Sequence, residues 1–242
     1  MTEQPRIILV APQLPENIGA AARAMRNFGL DRMRLVAPRE GWPDPRATAT
    51  AAGATAVLDH AGLFDSTGDA IADCQFVLAT TARPRSLATP VMGPEAAMAA
   101  ARRHAARGAR VGILFGGERA GLSTGDVARA NAIVTLPVDP AFASLNLAQA
   151  VLVLAYEWGR AAQVPPAPGG TRPPAPRAAT ARLAAHAETA LDEAGFFHPP
   201  ARAARMKRNL HALFARLELT EAETRLIHGA IRALVRGGRG PG

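Results

Sequence analysis

This chain of 242 residues predicts an α/β fold, a parallel sheet with helices on both faces, followed by a small all-helical module. Three observations carry that expectation. Short β-rich runs alternate with longer helical stretches through the first two thirds, the pattern of a parallel sheet buried on both faces. Residues 164–176 read VPPAPGGTRPPAP, six prolines and two glycines in thirteen residues, which is a semi-rigid linker. Beyond the linker only helical periodicity remains. The expected organisation is a sheet-containing domain over 1–162, a linker over 163–177 and a helical module over 178–242.

In chain order, residues 6–11 (RIILVA) form a strand ended by Pro12, and the loop PQLPEN leads into a helix over 16–28 closed by Gly29. A second strand spans 33–37. Residues 47–52 read as helical, 56–58 as a short strand and 66–72 as a short helix. The buried strand 75–80 opens onto a polar Thr/Arg loop, TTARPRS. An Ala-rich helix over 94–107 starts with Pro and ends at Gly108. The strand 110–115 is followed by GGERAGLS, then a helix over 124–130 and a last strand over 133–136. After it, Leu145, Ala148, Val151, Leu152, Ala155 and Trp158 recur at the spacing of a buried helical face. Ser144 and Asn146 stand ahead of that face as N-cap types, with Gln149 three residues after Asn146. A capped helix start of this kind can hold an anionic or polar ligand group. Helices over 178–194, 201–217 and 220–235 complete the chain, the last opened by a Thr220/Glu223 capping box.

Charge is unevenly spread. Residues 1–160 hold 16 Arg against 14 Asp and Glu, whereas 161–242 hold 11 Arg and Lys207 against 6, so +6 of the net +8 lies in the last third. A basic module on a nearly neutral domain points to a polyanionic partner, RNA or DNA before membrane. Cys74 is the sole cysteine, which excludes a disulfide framework and a cysteine-based metal site, and no paired histidines offer zinc ligands. The first strand follows at once on the N-terminus and no apolar run reaches the length of a membrane span, so the expected setting is the cytoplasm. Neither G-x-G-x-x-G nor G-x-x-x-x-G-K-[ST] follows any strand, which disfavours nicotinamide and ATP chemistry. Ligands of parallel sheets sit at the carboxyl ends of the strands, where the TTARPR, GGER and FASLN loops converge.

Three segments are more specific together than apart: Asn17-Ile18-Gly19 through Arg23-Ala24, Phe115-Gly116-Gly117-Glu118 through Leu122-Ser123, and Ser144-Leu145-Asn146-Leu147 through Tyr156-Glu157. In order and separation they resemble the three motifs of SPOUT-class RNA methyltransferases of the TrmH-like, ribose 2′-O-methylating branch. The resemblance covers residues 6–160. The tail, with GFF followed by RMKRNLHALF, is similar to that of the TrmJ-type tRNA cytidine/uridine 2′-O-methyltransferases.

The resemblance implies a deep trefoil knot in the C-terminal part of the α/β domain, a rare exception to unknotted topology. It implies S-adenosylmethionine as methyl donor, S-adenosylhomocysteine as product, no metal, and a homodimer with the site at the interface. The substrate implied is tRNA, methylated at C or U in position 32, the first nucleotide of the anticodon loop. Ribosomal RNA, or another tRNA position, is the alternative within the branch, and a catalytically inactive RNA-binding module the alternative outside it. By matching position, the cofactor loops are Thr80, Thr81 and Ala82; Gly116, Gly117 and Glu118; Leu136; and Ser144, Leu145 and Asn146. Arg23 takes the place of the catalytic arginine, with Asn17 and Ser144 beside it. The expected RNA contacts are Arg23, Arg26, Arg83 and Arg85, and on the tail Arg202, Arg205, Lys207 and Arg208.

Overall fold

Successive residues of the central strands enter opposite cores in the computed structural model, which describes residues 3–81, 89–161 and 173–237. On β1 (Arg6–Val10), Ile7 and Leu9 enter one core while Ile8 and Val10 enter the other. Both faces of the sheet are therefore covered, which is why the central strands read as nearly continuous apolar runs. The sheet has seven strands in the order β3-β2-β1-β6-β4-β7-β5 and every recorded pairing is parallel. These strands are β2 (Met33–Val36), β3 (Gly62–Phe64), β4 (Phe76–Thr80), β5 (Val91–Met92), β6 (Val111–Gly116) and β7 (Ala132–Val134). The larger core lies under α1 (Pro15–Asn27), α2 (Pro45–Ala51), α3 (Thr55–Asp59), α5 (Pro94–Ala106) and α7 (Leu147–Ala161). The smaller one lies under α4 (Thr67–Ala70) and α6 (Thr124–Ala128).

The helix α1 can sit tightly on α2 because position 19 has no side chain. A Cβ on Gly19 would meet the Ala47 carbonyl oxygen at 2.0 Å and Thr50 Oγ1 at 2.1 Å. Thr50 Oγ1 fixes the crossing by donating to the Glu16 carbonyl at 3.0 Å.

Two expectations from the sequence fail here. Residues 56–58 are not a strand but the middle of α3, because Val57 and Leu58 bury together against the α1–α2 side. The edge strand comes later as β3, which a three-residue half-exposed segment does not announce. The buried face of α7 is also turned relative to the expected one. Leu147, Ala148, Val151, Leu154, Ala155 and Trp158 face inward, whereas Leu145 and Leu152 are 37% and 41% exposed. The helix begins only at Leu147, so the face closes on Leu147 and Leu154 in their place.

After the linker, most of which lies outside the described residues, come α8 (Arg177–Glu193), α9 (Pro200–Arg216) and α10 (Glu221–Gly237). They attach at the amino-terminal edge of the sheet. Asn131, just ahead of β7, accepts from Val77 N–H at 2.8 Å and donates to the Ala215 carbonyl at 2.9 Å. The buried Arg177 donates to the Ala215 carbonyl at 2.5 Å and to that of Arg129, and its own N–H reaches the Cys74 carbonyl at 2.6 Å. Desolvation holds its pKa down at about 10, which leaves it charged at neutral pH. His104, in the last turn of α5, meets Glu218 at 3.1 Å.

Candidate active site

The carboxyl ends of β4, β6 and β7 open onto one cleft of about 370 Å3, within the usual size of small-molecule sites. Its walls come from Thr80 and Thr81, from the loop Gly116–Gly117–Glu118 onward, and from Leu136 with Ser144 and Leu145. The three loops singled out from the sequence therefore do meet. Gly117 makes the approach possible, since a Cβ there would stand 2.2 Å from the Ala11 carbonyl oxygen. The turn is closed by the Gly121 N–H, which donates to the Gly117 carbonyl at 2.9 Å. Thr80 Oγ1 is spent on the Leu114 carbonyl at 2.9 Å and Thr81 N–H on that of Val134 at 3.1 Å. Ala82, Arg83 and Arg85 lie outside the described residues.

Behind the cleft a hydrogen-bond chain ties the three segments together. Glu118 accepts from the Gln13 N–H at 2.8 Å, the Leu14 N–H at 3.4 Å and Asn17 Nδ2 at 2.6 Å. Asn17 Oδ1 in turn accepts from Asn146 Nδ2 at 2.9 Å. Asn146 Oδ1 then caps α7, accepting from the Ala148 N–H at 2.8 Å and the Gln149 N–H at 3.4 Å, while Gln149 Oε1 accepts from the Asn146 N–H at 3.3 Å. Burial would raise the Glu118 pKa, but its donors, Asn17 first and the Gln13 N–H next, outweigh that and hold it below the usual carboxylate range. The three side chains thus clamp together the loop after β1, the turn after β6 and the start of α7, with Glu118 also lining the cleft.

Arg23 stands apart from these groups. It lies on the exposed side of α1, as does Arg26, and it is not among the residues lining this chain's cleft. Ser144 lines the cleft and is exposed. On α9, Arg202, Arg205 and Arg208 are exposed, but Lys207 is engaged, 2.8 Å from Asp192 and 3.3 Å from Glu188. Sequence reasoning missed the far wall of the cleft, Val138, Ala143, Leu147 and Ala150, whose apolar types carry no chemical signal. It also missed the Gln13 and Leu14 N–H groups, which only the fold reveals.

Among the described residues there is no group of three or more His, Cys, Asp or Glu that could hold a metal ion. Nor is any described helix long and apolar enough to cross a membrane.

Residues 4–156 match the model of the SpoU rRNA Methylase family. The chain is 42% identical over 157 residues to tRNA (cytidine/uridine/adenosine-2′-O-)-methyltransferase TrmJ of Pseudomonas aeruginosa, a stretch spanning 65% of this chain and 61% of that protein. It is 34% identical over 241 residues to tRNA (cytidine/uridine-2′-O-)-methyltransferase TrmJ of Cronobacter sakazakii, covering 97% of each. The crystal structure of TrmJ from Z. mobilis ZM4 aligns with a TM-score of 0.86 at 48% identity, over 96% of this chain and 99% of that one.

Proposed function

The chain belongs to the SpoU rRNA methylase family, and from that premise we propose that it methylates a ribose 2′-hydroxyl of tRNA with S-adenosylmethionine as donor. The observation that carries the reading is the Glu118–Asn17–Asn146 chain, which joins three separate segments around one cleft at the carboxyl edge. The alignment with the Cronobacter tRNA enzyme runs through the basic tail as well as the sheet, which favours tRNA over ribosomal RNA.

The cleft suits the proposed donor. It offers an apolar wall for an adenine ring and backbone groups at glycine turns for polar edges, with no cation cage needed. S-adenosylmethionine bound there would supply an activated methyl for the 2′-oxygen and leave as S-adenosylhomocysteine, and the hydroxyl proton would pass to the neighbouring RNA phosphate or to water. The protein must then align the hydroxyl and steady its developing charge. Arg23 is assigned that part, forking between a neighbouring phosphate and the reacting oxygen, because a guanidinium with a pKa above about 12 is a poor base.

Arg23 lies outside its own chain's cleft, so the proposal includes a homodimer in which Arg23 of one protomer serves the cleft of the other. Exposed Leu152 and Tyr156, one turn apart on α7, with exposed Leu145 and Phe142 ahead of them, supply apolar surface for that contact. The trefoil knot belongs to the same proposal. Supporting it, β7 lies between β4 and β5, and the chain then returns as α7 onto α1 and α5. We also propose the division into 1–162, linker 163–177 and module 178–242, with Arg202, Arg205 and Arg208 facing RNA and Lys207 held by its two carboxylates.

The test is transfer of labelled methyl to an unmodified tRNA transcript, compared with the same transcript carrying a single 2′-deoxynucleotide at position 32. Loss of label in the deoxy transcript is expected. Equal labelling of the two would refute position 32, and no labelling of either would refute the function.

A further inference from the structure

A second cavity, of about 540 Å3, lies where α8 and α9 meet α4 and α6 at the amino edge of the sheet. Five permanent cations line it, Arg129, Arg177, Arg182, Lys207 and Arg208, against two carboxylates, Asp69 and Glu188. The carboxylates are occupied: Asp69 accepts from Ser66 Oγ at 2.6 Å, and Glu188 holds Lys207 at 3.3 Å and His211 at 2.7 Å. Among the described residues Arg129, Arg182 and Arg208 have no recorded ion pair, and all three are exposed. Arg177 lies buried behind them, and its donation to the Arg129 carbonyl fixes the backbone from which that side chain springs. The Arg129 guanidinium lies over Gly68, where a Cβ would come within 3.3 Å of Nη1.

We propose that this cleft binds backbone phosphates of the RNA substrate, with Arg129, Arg182 and Arg208 as ligands. Unpaired guanidiniums converging on a concave site from three separate elements are the arrangement that grips phosphate bidentately. Residues from the sheet domain and from the helical module both contribute, so neither part alone contains the site. It lies on the opposite edge of the sheet from the proposed methyl-transfer cleft. The five residues of β4 alone span about 17 Å at roughly 3.3 Å each. A ligand touching both edges is a folded RNA rather than a mononucleotide. The inference rests on the tRNA reading above for the identity of that RNA.

The experiment compares full-length protein with an Arg129→Ser/Arg182→Ser variant and with an Arg225→Ser/Arg236→Ser variant, which removes the same charge from exposed positions on α10. Affinity for a tRNA transcript is followed by fluorescence anisotropy across monovalent salt. Each lost phosphate contact lowers the log–log salt slope by about 0.9 on a duplex, so the cleft variant is expected to lose about 1.8. At 0.1 M salt that corresponds to roughly sixtyfold weaker binding. S-adenosylmethionine affinity should stay unchanged, and the KM for tRNA should rise more than kcat falls. An unchanged slope in the cleft variant, or an equal loss in the α10 variant, overturns the proposal. A third arm adds inorganic phosphate at matched ionic strength and reads the melting temperature. Stabilisation of wild type alone, with tRNA binding intact in the variant, makes this a free-anion site and also overturns it. Should wild type bind tRNA through the cleft yet transfer no methyl, the functional reading fails while the cleft stands.

Discussion

Removing Glu118 tests the clamp behind the cleft in a way that can be worked from distances. Its carboxylate holds two short contacts, 2.6 Å to Asn17 Nδ2 and 2.8 Å to the Gln13 N–H, and a longer one to Leu14. Hydrogen bonds to a charged acceptor contribute about 1.5–3 kcal/mol each, and partial solvent access places these at the lower end. Glu118→Ala should therefore cost about 2–3 kcal/mol in urea unfolding, with the Gly116–Gly121 turn released from the end of β1. Asn17→Ala should cost a similar amount, since it also strips Asn146 of a partner. The two residues share one bond, so the double variant should lose about 1–2 kcal/mol less than the sum. A strictly additive cycle, or single variants that keep full stability and full S-adenosylmethionine affinity, would refute the clamp. The depressed Glu118 pKa adds a pH signature. Its contribution is complete above the ordinary carboxylate pKa and fades as pH falls through the lower folded value, so the stability gap between wild type and Glu118→Ala should close on acidification.

Gly19→Ala should destabilise by about 1–3 kcal/mol, because its Cβ would drive into the Ala47 carbonyl, and thermal unfolding reads the loss. Asp73, hydrogen-bonded to Arg34 and also flanked by the charges of Arg6 and Arg110, has its pKa lowered to about 2 despite burial. Its contribution is thus full above 3.8 and lost toward about 2, and pH-dependent urea unfolding should show wild type converging on Asp73→Asn over that range. Arg23→Ala should abolish methyl transfer while calorimetry shows unchanged S-adenosylmethionine binding, and Arg23→Lys should not restore transfer, since an ammonium lacks the fork.

Strands and motifs were the legible part of this chain, because burial on both faces leaves continuous apolar runs such as residues 7–10 and 111–115. The three polar segments were legible as a group for the same topological reason: all strand ends carrying them lie on one edge. Short edge elements were not. Gly62–Phe64 and Val91–Met92 are too brief and too exposed to show a period, and Thr55–Asp59 is a helix only because Val57 and Leu58 find a core. The hydrogen bonds that join Asn17, Glu118 and Asn146 were also invisible, since type and spacing mark a residue as chemical without saying which other side chains it meets. Lys207 makes the same point on α9, where a basic run in sequence conceals a lysine already held by Asp192 and Glu188.

Nucleoside mass analysis of an unmodified tRNA transcript after incubation with the protein and S-adenosylmethionine, with chelator present throughout, puts the central claim to its most direct test. The expected product is a single ribose-methylated cytidine or uridine, absent when Arg23→Ala replaces wild type. A methyl group on a base, a requirement for added metal, or no methylated nucleoside at all would contradict it.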